Sequence, residues 1–370
     1  MNFDFSEEQK LLQQTARDYL NQHAPLSVCR RVLESGEPFA ADLWKGAAEM
    51  GWLGAAIPEA FGGAGFGRLE LVLIAEELGR ALAPIPFGPS VALYSEALLQ
   101  LGSESQKQAR LPALAKGERI GTFAFAESAG RPAAARIQTR FEGGRVSGTK
   151  LAVPDGAAAH DALVVAREGS DLSLVLVDLA GPGVERQAVK SLDPSRPLAR
   201  VSFSGAAGER LAEPCPDLSA VLALLRRAAV PIAFEQLGGA ARAFELTREF
   251  ALGRYAFGRP IASFQALKHR MADVFVALEL ARSNAYFAAW ALEEDAPELA
   301  EAACSARVAA IQAFELATTE MIQMYGGVGF TWEYDCHLFY RRAKGLAALL
   351  GGLGDWREYL VRELERGAAA

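Results

Sequence analysis

The sequence is poor in the residues that build metal centres and disulfide frameworks. Its four cysteines (Cys29, Cys215, Cys304 and Cys336) and four histidines (His23, His160, His269 and His337) are scattered over 370 residues. Their spacing fits neither a zinc site nor a set of staples, so we expect reduced thiols, a cytoplasmic location and no bound metal. Positive charge is in deficit as well: 38 Lys and Arg face 45 Asp and Glu, for a net charge of −7. That balance excludes a general nucleic-acid or anionic-membrane surface. Long apolar runs are missing too. The best candidate, Val221–Ala241, is interrupted by Arg226 and Arg227, which excludes a membrane span. The opening "MNFDFSEEQK" has no basic region followed by an apolar core and does not read as a secretory signal. What the chain has in quantity is hydrophobic residues, 51% of the total, enough for the cores of two or three domains.

Pattern divides the chain into three regions. Residues 1–118 read as helices. "FSEEQKLLQQTARDYLNQHA" starts with Ser6 and has Gln9 three residues on, a capping-box pattern, and its apolar positions recur at helical spacing. "LELVLIAEELGRAL" is a second amphipathic helix, stopped by "APIPFGP". Residues 119–217 change to short alternating runs rich in Val and Phe, separated by glycine turns, and predict a small antiparallel β-domain, barrel-like or sandwiched. Residues 218–370 return to long helical patterns over 218–253, 263–292, 297–325 and 334–349, a C-terminal four-helix bundle. The expected class is therefore α+β multidomain.

Two glycine-marked helix ends in the bundle stand out: "RYAFGRPIASFQ" at 254–265 and "QMYGGVGF" at 323–330. Alone, each could be an ordinary helix stop. In this order, behind a helix–sheet–helix layout, they are far more specific. With "FSEEQKLLQQTARDYL", "IPEAFGGAGFG", "GSESQKQARLPALAKGERIGTFAFAE" and "FTWEYDCHLFYRRAK", they make nearly the whole chain resemble the acyl-CoA dehydrogenase family. The branch it is most similar to is bacterial and often works as mixed complexes on CoA thioesters of steroid side chains or other bulky acids.

The resemblance implies FAD held across a subunit boundary. Carried over, Arg254 would bond the pyrophosphate of a neighbour's FAD, and Phe257 would pack on the nucleotide. Phe264 and Gln265 would touch it from the next turn, while Gln323, Gly326 and Gly327 would line the adenine and ribose side. The chemistry suits these residue types: arginine offers a planar donor fork to a pyrophosphate, and glycine lets backbone come close.

Other family features are missing. The family's carboxylate base, which takes the α-proton of the thioester, falls here at Leu350, or in a second branch at Ala228. Neither can accept a proton, and no Asp or Glu lies between Gly345 and Gly354 or between Ala220 and Phe234. The family's flavin-binding threonine corresponds to Ala126, and its "WIT"-type segment to Ala152–Pro154, where a proline has no N–H and an alanine no donor. Glu127 remains, as a structural rather than catalytic carboxylate.

The resemblance therefore implies an oxidoreductase subunit of lipid or steroid catabolism that serves an FAD-dependent α,β-dehydrogenation of an acyl-CoA. We expect this chain to be the non-catalytic member of an α2β2 heterotetramer, with a second family subunit as partner and an electron-transfer flavoprotein as acceptor. Two alternatives differ in class. One is a self-sufficient homodimer or homotetramer with a relocated base; Glu235 is the candidate, on the helix face of Ala228 but about 10 Å along the axis. The other is a flavin-free acyl-CoA-binding scaffold, against which the intact Arg254 and Gln323 speak. The remaining charges have structural readings: Glu333 and Asp335 as helix caps, Asp193 and Arg196 as a turn closed by a charge pair, and Arg341, Arg342 and Lys344 as helix-dipole or interface cations rather than CoA ligands.

Overall fold

The computed structural model describes residues 5–130 and 133–369. The first four residues of the segment read as lacking a signal, and the last alanine of the tail, lie outside them. The chain packs into two compact units, one of residues up to 31, 72–83 and 229–370, the other of residues 32–71 and 84–228.

The N-terminal helices are α1 (Glu7–His23), α2 (Leu26–Ser35), α3 (Ala41–Glu49), α4 (Arg68–Arg80), α5 (Glu96–Leu101) and α6 (Glu104–Ala115). The expected capping box opens α1: Ser6 Oγ accepts the Gln9 amide at 3.2 Å, and Gln9 Oε1 accepts the Ser6 amide at 2.9 Å. Ser103 and Gln106 repeat the device ahead of α6. Between α4 and α5, Gly88–Ser95 winds as a π-helix, buried along its length. Its Ser90 hydroxyl accepts the amide of Gly121 at 3.0 Å and so ties this segment to the first strand of the sheet.

That sheet has eight strands: β1 (Gly121–Ala124), β2 (Arg140–Glu142), β3 (Arg145–Pro154), β4 (Asp161–Glu168), β5 (Asp171–Asp178), β6 (Val184–Val189), β7 (Leu198–Ala207) and β8 (Glu209–Arg210). The order is β6-β7-β3-β2-β4-β5-β8, with β1 on β4. Most pairs are antiparallel as expected, but β1 and β2 each run parallel to β4. The near-continuous apolar run of β4 matches this placement, since its first six residues are all buried.

Five helices follow: α7 (Ser219–Gly253), α8 (Gln265–Glu293), α9 (Leu299–Tyr325), α10 (Cys336–Ala348) and α11 (Leu353–Ala369). The first four lie where the sequence pattern puts them. The fifth restarts after Gly351 and Gly352, and buries Trp356 and Tyr359. A helical N-terminal region, a central sheet and a helical C-terminal region make up the expected α+β class.

The closest approach in the first unit is between the later part of α4 and α7. A Cβ on Gly79 would stand 1.8 Å from the carbonyl oxygen of Glu235, and a Cβ on Gly238 would stand 1.8 Å from that of Glu76. The two backbones touch reciprocally, which only glycine permits. The acidic residues of α4 are tied in around this crossing. Glu77 takes Arg17 of α1 at 2.6 Å, and Glu76 takes Arg282 of α8 at 2.8 Å. Gly79→Ala or Gly238→Ala should therefore cost at least about 1–3 kcal/mol by overpacking, read as a lowered thermal midpoint. Gly253→Ala, with open space around it, should not.

Candidate functional site

The stretch expected to be a loop after α7 is closed into a small hairpin. Tyr255–Ala256 (β9) pairs with Arg259–Pro260 (β10), and Phe257 and Gly258 form the two-residue turn. Both turn residues are left-handed, at φ +53° and +77°. That is the geometry a two-residue hairpin needs, and Gly258 meets it without cost. Phe257 does not: a phenylalanine held left-handed is strained, and its side chain is 94% exposed. Phe264 meets Phe257 edge-on, at 6.1 Å and 87°, and carries the Arg259 guanidinium over its ring at 4.2 Å. Arg254 and Gln265 are exposed beside them.

At the end of α9, Gln323, Gly326 and Gly327 are exposed as well. Gly326 has φ +64° and ψ −139°, a conformation reserved for glycine. No atom lies within 4 Å of where a Cβ would stand on Gly258, Gly326 or Gly327. The structure thus places all seven nucleotide-binding candidates in one unit, on two helix ends. Two further aromatic residues, Phe250 and Tyr325, stack between those ends at 3.9 Å. Sequence reading passed over both, although one lies a helical turn before Arg254 and the other immediately before Gly326.

In the other unit, the segment equivalent to the family's flavin-ring contacts is irregular. The β3–β7 register slips between Lys150 and Val153. Ala152 sits in this bulge with φ +50°. Ala126 and Ala152 are exposed and offer no side-chain donor. Glu127 has the structural role expected of it. It accepts the Lys150 ammonium at 2.6 Å and the backbone amides of Gln138 and Thr139 at 2.6 and 3.1 Å. Burial alone would raise this carboxyl, but Lys150 and the amides outweigh it and hold it below the usual range. Lys150 is fully buried and also donates to the Phe125 carbonyl at 3.1 Å.

The base positions are apolar and enclosed: Leu350 and Ala228 are both buried. Glu235, the alternative base, is 4% exposed and lies 3.7 Å from the guanidinium of Arg342. Arg342 in turn donates to the carbonyls of Leu82 and Ala83, at 3.2 and 3.3 Å. The fully buried Arg307 lies next to this pair, bonded to Gln236 and to the carbonyl of Leu346, and the charge of Glu235 acts on it as well. Glu235 is thus the counter-charge of a buried arginine cluster.

Other charges need redrawing. Asp335 occupies the N-cap position of α10 but makes no capping bond; its carboxylate takes Arg30 at 2.6 Å. In the 193–196 turn the Arg196 amide donates to the Asp193 carbonyl at 3.1 Å, Asp193 accepts the amide and hydroxyl of Ser195, and Arg196 also reaches Asp155 at 3.5 Å. Lys344 pairs with Glu315 at 2.7 Å, and Arg341 lies over the Trp332 ring.

These geometries match half of what FAD requires. The exposed guanidinium, the amide of Gln323, the presented Phe257 ring and the open glycine turns fit a nucleotide diphosphate reaching in from outside. The Ala126 and Ala152–Pro154 segments offer no side-chain donor to a flavin ring.

Comparison with known proteins identifies the family. The model of the acyl-CoA dehydrogenase N-terminal domain matches residues 6–118, and that of the C-terminal domain matches residues 218–355. The acyl-CoA dehydrogenase IpdE2 of Mycobacterium tuberculosis is 34% identical over 93% of each chain. Among solved structures, the steroid ACAD Tcur3481-Tcur3483 superposes with a TM-score of 0.89 at 30% identity, over 98% of this chain and 99% of its own. The ChsE4-ChsE5 complex from Mycobacterium tuberculosis gives 0.88 at 28% identity, over 99% of both chains. No described helix is long and apolar enough to cross a membrane.

The buried Lys150 has a measurable signature. Desolvation lowers it to about 8 against the opposing charge of Glu127, whereas in the unfolded chain it titrates near 10.5. Between those values the unfolded state binds more protons, so this lysine makes stability rise with pH from about 8 to about 10.5, by on the order of 3 kcal/mol. Urea unfolding at pH 7.5 and 10 should show that rise in the native chain. It should be absent in Lys150→Met combined with Glu127→Gln.

Proposed function

Because the chain belongs to the acyl-CoA dehydrogenase family, we propose that it is the non-catalytic subunit of a heteromeric complex, one that lends the nucleotide half of an FAD site to a catalytic partner of the same family. The observation that carries this reading is an asymmetry. Every residue expected to reach a neighbour's nucleotide is present, and all but the half-buried Phe264 are exposed, while both expected base positions are buried apolar side chains. A chain that had simply lost its function would have no reason to keep a strained, solvent-exposed Phe257 beside an exposed Arg254.

In the complex, Arg254 would pair with the pyrophosphate through a charge-assisted fork, and Phe257 and Phe264 would cover the nucleotide from water. Gly326 and Gly327 would allow backbone to approach the ribose and adenine side. Bound FAD would supply the hydride acceptor for α,β-dehydrogenation of a CoA thioester, and the partner would supply the carboxylate that takes the α-proton. Resemblance to a steroid ACAD supports a bulky acyl group such as a steroid side chain. Two of the similar structures pair two different gene products, which supports a heteromeric assembly. An electron-transfer flavoprotein is the acceptor this reading implies.

The test is to purify the chain alone and together with a partner family member, and to record the flavin absorbance and dye reduction of each. Colour and turnover should appear only with the partner. Flavin bound and reduced by the lone chain would favour the self-sufficient alternative. In the complex, Arg254→Ala should weaken FAD retention by about 10–100-fold, the value of a charge-assisted bond. Glu235→Gln should leave turnover per folded complex unchanged but lower stability by about 3 kcal/mol, since it strips a buried arginine of its counter-charge.

A further inference from the structure

The two helix ends that carry the candidate residues are mechanically joined. Phe250, in the last turn of α7, and Tyr325, the last residue of α9, stack with ring centroids 3.9 Å apart and planes 11° from parallel. From Phe250 the connection runs directly to the hairpin. Its carbonyl accepts the amide of Arg254 at 2.8 Å, and the carbonyl of Arg254 accepts the amide of Ile261 at 2.8 Å, closing the loop. From Tyr325 it runs to the glycine turn. Gly326 is the next residue, and Gly329 folds back so closely that a Cβ there would stand 2.9 Å from the Tyr325 Cβ. The Tyr325 hydroxyl donates to the carbonyl of Leu246 on α7 at 3.3 Å, and its ring meets that of Tyr334 edge-on at 5.9 Å.

We infer that Phe250 and Tyr325 form a positioning joint that locks the Arg254 hairpin to the Gly326–Gly327 turn, so that the two loops engage one nucleotide as a single pre-set clasp. Neither residue is among those expected to touch the ligand. Their role is to fix the separation between the group that binds the pyrophosphate and the backbone that lines the adenine side. Loops that moved independently would each lose freedom on binding, and rigidity built in beforehand removes that cost. The inference rests on the lending role proposed above, and the rigid link is also measurable without flavin.

Hydrogen exchange of the full chain alone tests the link. Tyr325→Ala should speed exchange of the hairpin amides of Arg254 and Ile261 by about tenfold, although the hairpin follows a different helix. Tyr325→Phe, which keeps the ring and loses only the bond to Leu246, should change it less than about twofold. Unchanged exchange in Tyr325→Ala overturns the joint. In the partnered complex, Tyr325→Ala and Phe250→Ala should each weaken FAD binding by about tenfold. The double variant should be little worse than either single one, because both remove the same contact. If Arg254→Ala strips flavin while Tyr325→Ala does not, the joint is refuted and the lending role stands. If Arg254→Ala retains flavin, the lending role falls, and with it the joint's purpose, whatever the exchange shows. A flavin loss that merely follows the melting temperature across all variants, the milder Phe250→Leu included, also overturns it.

Discussion

The helical unit depends on one backbone contact. Where α4 crosses α7, Gly79 and Gly238 each face a carbonyl of the opposite helix, and there is no room for a single methyl group. Bringing two helices this close fixes everything attached to them. Glu76 and Glu77 are held where Arg282 of α8 and Arg17 of α1 can meet them, and Glu235, whose carbonyl faces Gly79, is held beside Arg342 of α10. Three other helices thus take their bearings from two glycines. The same close contact carries Glu235 into the buried arginine cluster.

Function in this molecule is divided by surface and interior. In the first unit the interior is committed to structure. Arg307 and Arg342 spend their donors on Gln236 and on the carbonyls of Leu346, Leu82 and Ala83. A buried charge costs too much to be left free, so each finds a fixed partner. The groups at the ends of α7 and α9 lie at the surface instead. There an arginine, a glutamine and an aromatic ring face solvent beside glycines with nothing in front of them. Chemistry that needs a ligand from outside is concentrated where no internal contact competes for it.

Much of this was legible in the sequence, for local reasons. The Ser6–Gln9 box, the helix periodicities and the glycine breaks are short-range signals, and they appear where the pattern puts them. Sheet topology is not local: the parallel pairing of β1 and β2 with β4 joins segments that the alternating pattern alone treats alike. The helix crossing was invisible because Gly79 and Gly238 look like weak points inside good helices. Asp335 stands at the position of a cap, yet a guanidinium from α2 outcompetes the helix for its carboxylate. The absence of a base at Leu350 and Ala228 needed no structure. That Glu235 sits inside an arginine cluster did, because its neighbours arrive from α10 and α9.

A ligand clasped from a second chain has a consequence beyond catalysis. Under the lending role proposed above, a nucleotide held by Arg254 and the glycine turn would be at once a cofactor and an adhesive. The free energy with which it favours association must equal the free energy with which association favours its retention. Scarcity of the cofactor would then be felt first as subunit dissociation, before any shortage of electron-accepting capacity, and abundance of either chain would protect the flavin of the other.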